Sequence, residues 1–318
     1  MKFFIALLFS FFFLFGSKAS HVLGGELTWK CQGTSYVFTL TFYRDCNGAE
    51  VNTISEEVKV WNHPTLTSII LPFVERIDVS PTCSPVTGSP NPLDCGSGAN
   101  AGNGIGAVEK IVYRSAPIAI SGIPPAQGWA FTYENFSRSG SITNLANPSN
   151  YGITIAAKMF ATPNTTSGCV DNAPIFLQAP HFVNCSGSPY QYNMNAVDPD
   201  LDSLFIDFGT PFNHFPTGIY DPPTNPIPIP YEVGFSPTSP TPGSTINPGN
   251  IPAVIDPLSG ELSFTSNTIG NYVIKARIRS YRNGYLNAEV EREMQVAVLP
   301  CTGANNPPSI TPPFAGSF

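Results

Sequence analysis

Positions 35 to 43 read Ser-Tyr-Val-Phe-Thr-Leu-Thr-Phe-Tyr, a run of β-branched and aromatic residues that suits a strand. Similar patterns predict strands over 23–29, 56–61, 110–113, 129–133 and 153–160. A second group is expected over 191–196, 204–208, 253–255, 261–264, 272–280 and 290–298. The last two flank Tyr281-Arg282-Asn283-Gly284-Tyr285, whose Asn-Gly pair is a hairpin-turn signal. Between the strands of the first group, 80–106 is rich in Pro, Gly, Ser and Asn and holds two cysteines, so it reads as a long stapled loop. The proline-dense stretch 211–252 reads as an extended excursion rather than a packed element. Many short strands with turn-rich connections predict an all-β chain of sandwich domains.

Composition supports that pattern. Glycine and proline supply 27 and 33 of 318 residues, a load that helix interiors do not tolerate well. Charged residues are 12%, about half the usual share, and aromatics at 12% argue against disorder. With 15 Lys+Arg and a net charge of −7, a phosphate-tracking nucleic-acid partner is not expected.

The first residues predict the compartment. Met1-Lys2 precedes an apolar run from position 3 to 15 and then Gly16-Ser17-Lys18-Ala19, the form of a secretory signal peptide over 1–19. The run is shorter than the ~20 residues that span a bilayer, and no later segment reaches that length, so an exported chain with no transmembrane segment after cleavage is expected. Loss of Lys2 and Lys18 takes the charge from −7 to −9. The localisation expected is extracellular or cell-surface.

Seven cysteines, Cys31, Cys46, Cys83, Cys95, Cys169, Cys185 and Cys301, fit disulfides in an oxidising compartment, and none has zinc-like spacing. A hairpin over 23–43 puts Cys31 at the turn and Cys46 at the far end. About ten residues at roughly 3.3 Å each separate the two, too far for a bond. Cys46 is therefore directed elsewhere, with the 83–95 loop as one destination, and the odd total leaves one thiol over.

The residues Asp171-Asn172-Ala173-Pro174, then Asp198-Pro199-Asp200-Leu201-Asp202, then Ile255-Asp256-Pro257-Leu258-Ser259-Gly260, resemble cadherin-like and related bacterial immunoglobulin-like repeats. That resemblance implies a seven-strand sandwich over 171–301 whose Asp-x-Asp turn binds calcium. It departs at Gly168 and Val170, where the full cadherin linker has Asp and Asn. A wider set of blocks is similar to the amino-terminal region of large gliding-motility-associated surface proteins. These include Ser20-His21-Val22-Leu23-Gly24-Gly25-Glu26, Tyr43-Arg44-Asp45-Cys46-Asn47, Glu109-Lys110-Ile111-Val112-Tyr113-Arg114-Ser115 and Pro124-Pro125-Ala126-Gln127-Gly128-Trp129. The second resemblance implies a modular exported protein of gliding bacteria. Phe136-Ser137-Arg138 stands where that family commonly has Cys-Cys-Arg, so its disulfide scheme does not carry over.

Asp198, Asp200 and Asp202 place three carboxylates on alternate positions of a turn, and Asp171 and Asn172 would complete a calcium shell from the domain junction. Bound calcium would then stiffen the linker. The competing reading is a solvated acidic turn, because aspartate also serves turns through its backbone bonds. Asp256 and Glu261 are weaker metal candidates. Trp129 and Tyr133, four apart on a strand, share a face; they form either a sugar-binding shelf or part of a core.

No catalytic constellation emerges. The glycines from 96 to 106 lack a phosphate-loop lysine and helix, and no Gly-x-Ser-x-Gly elbow is present. His21, His63, His181 and His214 are scattered. Glu56 and Glu57 point to opposite faces, while Glu291 and Glu293 share one that reads as solvated.

The expectation is a non-enzymatic surface chain. It comprises a β-domain over 20–170 and a cadherin-like or Ig-like sandwich over 171–301. A linker or the start of an incomplete further repeat follows over 302–318, where Asn305-Asn306-Pro307-Pro308 echoes Asp171-Asn172-Ala173-Pro174. That echo reads as a fragment of a longer adhesin-like protein. The expected role is a calcium-stiffened structural or adhesion module, with other surface modules or surface polysaccharide as partners. The alternative is a carbohydrate-binding or accessory module of an extracellular protein.

Overall fold

A computed structural model describes residues 22–81, 93–96, 101–136, 138–163, 165, 168–169, 171–215 and 217–301. The signal peptide expected at 1–19, Cys83 and the linker or further repeat expected at 302–318 lie outside them. Among the described residues no helix is long and apolar enough to cross a membrane. The chain is all-β, as its pattern predicts, and built around a large antiparallel sheet.

The first half contributes β1 (Val22–Gln32), β2 (Ser35–Asp45), β3 (Ser55–Trp61), β4 (Ser68–Asp78), β5 (Val108–Arg114), β6 (Trp129–Asn135) and β7 (Ile153–Met159). The second half adds β8 (Ile175–Phe176), β9 (Val183–Cys185), β10 (Pro189–Asn193), β11 (Ala196–Val197), β12 (Ser203–Phe208), β13 (Ile251–Ile255), β14 (Glu261–Thr265), β15 (Gly270–Arg282) and β16 (Tyr285–Leu299).

The first seven strands pair in the order β1-β2-β5-β4-β3-β6-β7, and both end strands then pair with β16. Eight antiparallel strands thus form a hydrogen-bonded ring, which β16 closes through residues 24–26 of β1 and 157–159 of β7, so that neither end strand is left as a fully open edge. The joint between β1 and β16 is a close one. Gly24 sits at φ +138°, and a Cβ there would come within 1.9 Å of the Glu293 carbonyl oxygen, so only glycine permits this approach. Inside the ring lie Leu27, Trp29, Phe38, Leu40, Phe42, Val58, Ile111, Phe131, Ile155 and Val290.

In the second half, β10-β14-β13 faces β12-β15-β16 as a sandwich. Tyr192, Leu262 and Phe264 meet Ile206, Ile274, Ile278, Met294 and Val296 between the layers. One strand serves both cores: Ala288 and Val290 belong to the first, and Met294, Val296 and Val298 to the second. Asn283 and Gly284, at φ +53° and +81°, make the expected two-residue turn into β16.

Three disulfides form: Cys31–Cys169, Cys46–Cys95 and Cys185–Cys301. Cys31 and Cys46 are not bonded to each other, as hairpin geometry requires, and Cys46 bonds within the stapled loop.

Two expectations are corrected. The proline-dense excursion is packed, with Phe215, Tyr220 and Ile229 buried. What it helps to cover is the β16 face read as solvated: Glu291 and Glu293 are 6% and 2% exposed. Lys158, Lys275 and Arg138 neutralise Glu289, Glu291 and Glu293 at 3.1, 2.7 and 2.5 Å. Strict alternation of charge and apolar residues marks a strand with two unlike faces, and here a second layer covers the charged one.

Candidate cation site at the junction of the two halves

The segment leading into β8 is strapped to the end of β1. Trp29 Nε1 donates to the Asp171 carbonyl at 3.1 Å, Ala173 N donates to the Trp29 carbonyl, and the Cys31–Cys169 bond closes the strap. This fixes Asp171 and Asn172 beside the turn between β11 and β12. That turn is built by Asp198, whose Oδ1 accepts the backbone N–H groups of Asp200 at 2.8 Å and Asp202 at 3.2 Å, the local bonding that suits aspartate to turns. The structure therefore brings all five predicted residues, Asp171, Asn172, Asp198, Asp200 and Asp202, to one place.

At their centre is a residue that pattern reading left as part of a hairpin. Arg282, the last residue of β15, donates through Nη2 to Asp171 Oδ1 at 2.7 Å and Asp202 Oδ2 at 2.8 Å. The same nitrogen lies 3.4 Å from Asp200 Oδ2, while Nε donates to Asp202 Oδ1 at 3.0 Å. Asn287, from β16, adds donations to Asp171 Oδ1 and Asp202 Oδ2 at 3.0 and 2.6 Å. Asn172 donates from its backbone and side chain to Asp200. Its own Oδ1 accepts from Cys31 N at 2.8 Å.

The titration behaviour follows this geometry. Burial, assisted by the neighbouring aspartates and opposed by Arg282, pushes Asp171 up to about 8. Burial also raises Asp198. For Asp200 burial acts upward too, but the Asn172 donors and the Arg282 charge outweigh it and hold that carboxyl below its ordinary value. The hydrogen bond to Asp202, partly offset by burial, raises the Arg282 guanidinium further.

A calcium shell needs six to eight oxygen ligands. Six of the eight carboxylate oxygens here already accept N–H donors. The other two of the eight, Asp171 Oδ2 and Asp198 Oδ2, are buried without a donor among the described residues. The donor set as arranged does not fit calcium, and the positive charge at its centre is a guanidinium. Asp256 instead caps its own turn, accepting from Leu258 and Ser259 N–H at 3.0 and 2.7 Å. Among the described residues, Cys46, Cys95 and Glu109 also lie close enough to share an ion, but both sulfurs are spent in a disulfide.

Trp129 and Tyr133 do share a face, and that face is the first core: they are 2% and 3% exposed. They form no shelf, because the ring of strands turns that side inward.

A second arginine escaped pattern reading altogether. Arg292, at the point where β16 passes from one core to the other, is 1% exposed. It donates to both carboxylate oxygens of Glu26 at 3.1 and 2.9 Å, to Tyr192 Oη at 2.5 Å and to the Gln178 carbonyl at 2.7 Å. Its guanidinium lies 3.8 Å from the centre of the Phe176 ring. Register explains the pairing, since Glu26 and Arg292 stand opposite each other across the β1–β16 joint.

No family model matches the chain, and no curated protein or solved structure matches it.

Proposed function

We propose that this chain is an extracellular structural or adhesion module of a modular surface protein of the gliding-motility-associated kind it resembles. In this reading its rigidity comes from internal cross-links, with Arg282 taking the place that calcium holds in the repeats it resembles. The observation that carries the reading is the shared strand β16, which makes one body of two cores. Three disulfides, the buried guanidinium of Arg292 and the half-buried one of Arg282 reinforce it. Such a body suits exposure outside the cell, where disulfides persist and an all-β chain displays loops on a fixed frame.

The test is to label an epitope-tagged copy on intact source cells and to delete the gene. Surface labelling, together with impaired attachment or surface movement in the deletion strain, is expected. A tagged chain found only inside the cell with reduced cysteines would sink the proposal, as would a deletion strain that attaches and moves normally.

A further inference from the structure

A cavity of about 250 Å³ lies where the start of β1, the 105–106 turn and the outer face of β16 meet. Its apolar wall is Leu23, Val108, Phe182 and Ala297. Gln295 projects from β16 on the same face as Glu291 and Glu293, one step past the last ion pair, and lines this space. The residue is 7% exposed, and its Oε1 is buried with no hydrogen-bond partner among the described residues. Buried carboxamides are rarely left so, because an unmet acceptor costs about 1–3 kcal/mol. Leucine or methionine would fill the position without that cost.

The other polar groups converge on the same space. Ser139 and Ser141 share a hydroxyl–hydroxyl bond at 2.8 Å, and Asn271 donates its Nδ2 to Ser141, which leaves its Oδ1 able to accept. Among the described residues no lysine or arginine lines the cavity, so none of them there would hold an anion. Asp45 is the one charged group of the lining among the described residues, and its Oδ1 already accepts two bonds from Asn47. Neutral amides and hydroxyls facing an apolar wall match a ring that has hydroxyls at its rim and C–H bonds on its face. The volume falls below the ~300–1,000 Å³ of drug-sized sites, which limits the occupant to a single ring.

We propose that this cavity binds one neutral sugar ring, with Gln295 as the buried polar contact that orients it. The site is separate from Trp129 and Tyr133, and the proposal does not depend on the surface-module reading above.

The experiment uses the mature, disulfide-bonded protein. Saturation-transfer NMR and calorimetry with D-glucose, D-galactose, D-mannose and N-acetyl-D-glucosamine would be run on the parent, Gln295→Leu and Ala297→Leu. Saturable binding of at least one sugar to the parent is expected. It should weaken about tenfold or more in Gln295→Leu, the loss of one good hydrogen bond, and vanish in Ala297→Leu, which fills the space. Without sugar, Gln295→Leu should melt higher than the parent, because the unmet acceptor is gone; a purely structural glutamine would give the opposite shift. Absence of saturable binding by all four sugars would overturn the proposal and leave the cavity to ordered water. Binding unchanged in both variants would equally overturn it, by placing the sugar elsewhere. Should Gln295→Leu not fold, the Ala297→Leu comparison alone decides.

Discussion

Arg292→Met is the most informative single change, because it leaves a carboxylate stranded where two cores meet. Glu26 is 6% exposed and takes both of its close donors from Arg292. Once the guanidinium is gone, the Tyr43 hydroxyl at 3.4 Å is the side-chain donor left to it among the described residues. Tyr192 loses a 2.5 Å partner and Phe176 loses the cation against its ring. Burial alone would lower the Arg292 pKa; the Glu26 carboxylate and the Tyr192 and Tyr43 hydroxyls outweigh it, so the guanidinium is held above its ordinary value. Removing one partner of a buried pair costs about 3–5 kcal/mol. At about 2–4 °C per kcal/mol for a chain of this size, the melting temperature should fall by about 10 °C. Urea unfolding followed by tryptophan fluorescence reads this directly, since Trp29 and Trp129 are buried in the first core. A double-mutant cycle with Glu26→Gln completes the argument. The double variant should recover about 2 kcal/mol of the Arg292→Met loss, because the stranded charge has been removed. A single-variant loss below about 1 kcal/mol, or strictly additive losses, would refute the account of β16 as a strand pinned by this pair.

Gly24→Ala should destabilise the protein by several kcal/mol as judged by urea melting, since the new Cβ meets backbone rather than a movable side chain. Calcium and EDTA should leave the melting temperature of the parent unchanged; a calcium-dependent rise of several degrees would restore the metal reading of the Asp198–Asp202 turn. Burial pushes Glu56 up to about 7, so the folded state holds that proton more tightly than the unfolded one. This contribution to stability is present below pH ~4.5 and declines as the pH rises toward 7. Glu56→Gln should therefore match the parent near pH 4 and exceed its stability at pH 8, and equal stabilities at both pH values would contradict the assignment.

Much of the strand inventory was legible because alternation is local. The 35–43 run, the Asn283-Gly284 turn and the separation of Cys31 from Cys46 all follow from neighbours in sequence. β4 was not legible: Pro72 interrupts it, a register shift between Phe73 and Glu75 breaks the period, and its second half is charged. Ring closure was invisible for a different reason, since β16 pairs with strands more than a hundred residues away. The same distance hid Arg282 and Arg292. Each sits in an ordinary strand pattern, and only folding reveals which carboxylates it meets. The five junction residues were found together because Asp-Asn and Asp-x-Asp are short signals, but the charge at their centre came from a hairpin remote in sequence. The glutamates of β16 misled because alternation tells which residues share a face and not whether another layer covers that face.

The antiparallel joint between β1 and β16 has a consequence for how the molecule yields to tension. Gly24 stands opposite Met294 and Glu26 opposite Arg292, so the outer ends of both strands point the same way. A pull applied between position 22 and position 301 would part these pairs one after another, like a zip, and would not shear them together. The Cys185–Cys301 bond diverts the pull on the carboxyl side into β9, which lies parallel to β16. Held at both ends, the module would open at its Gly24 seam; held at Cys301 alone, it would hang intact.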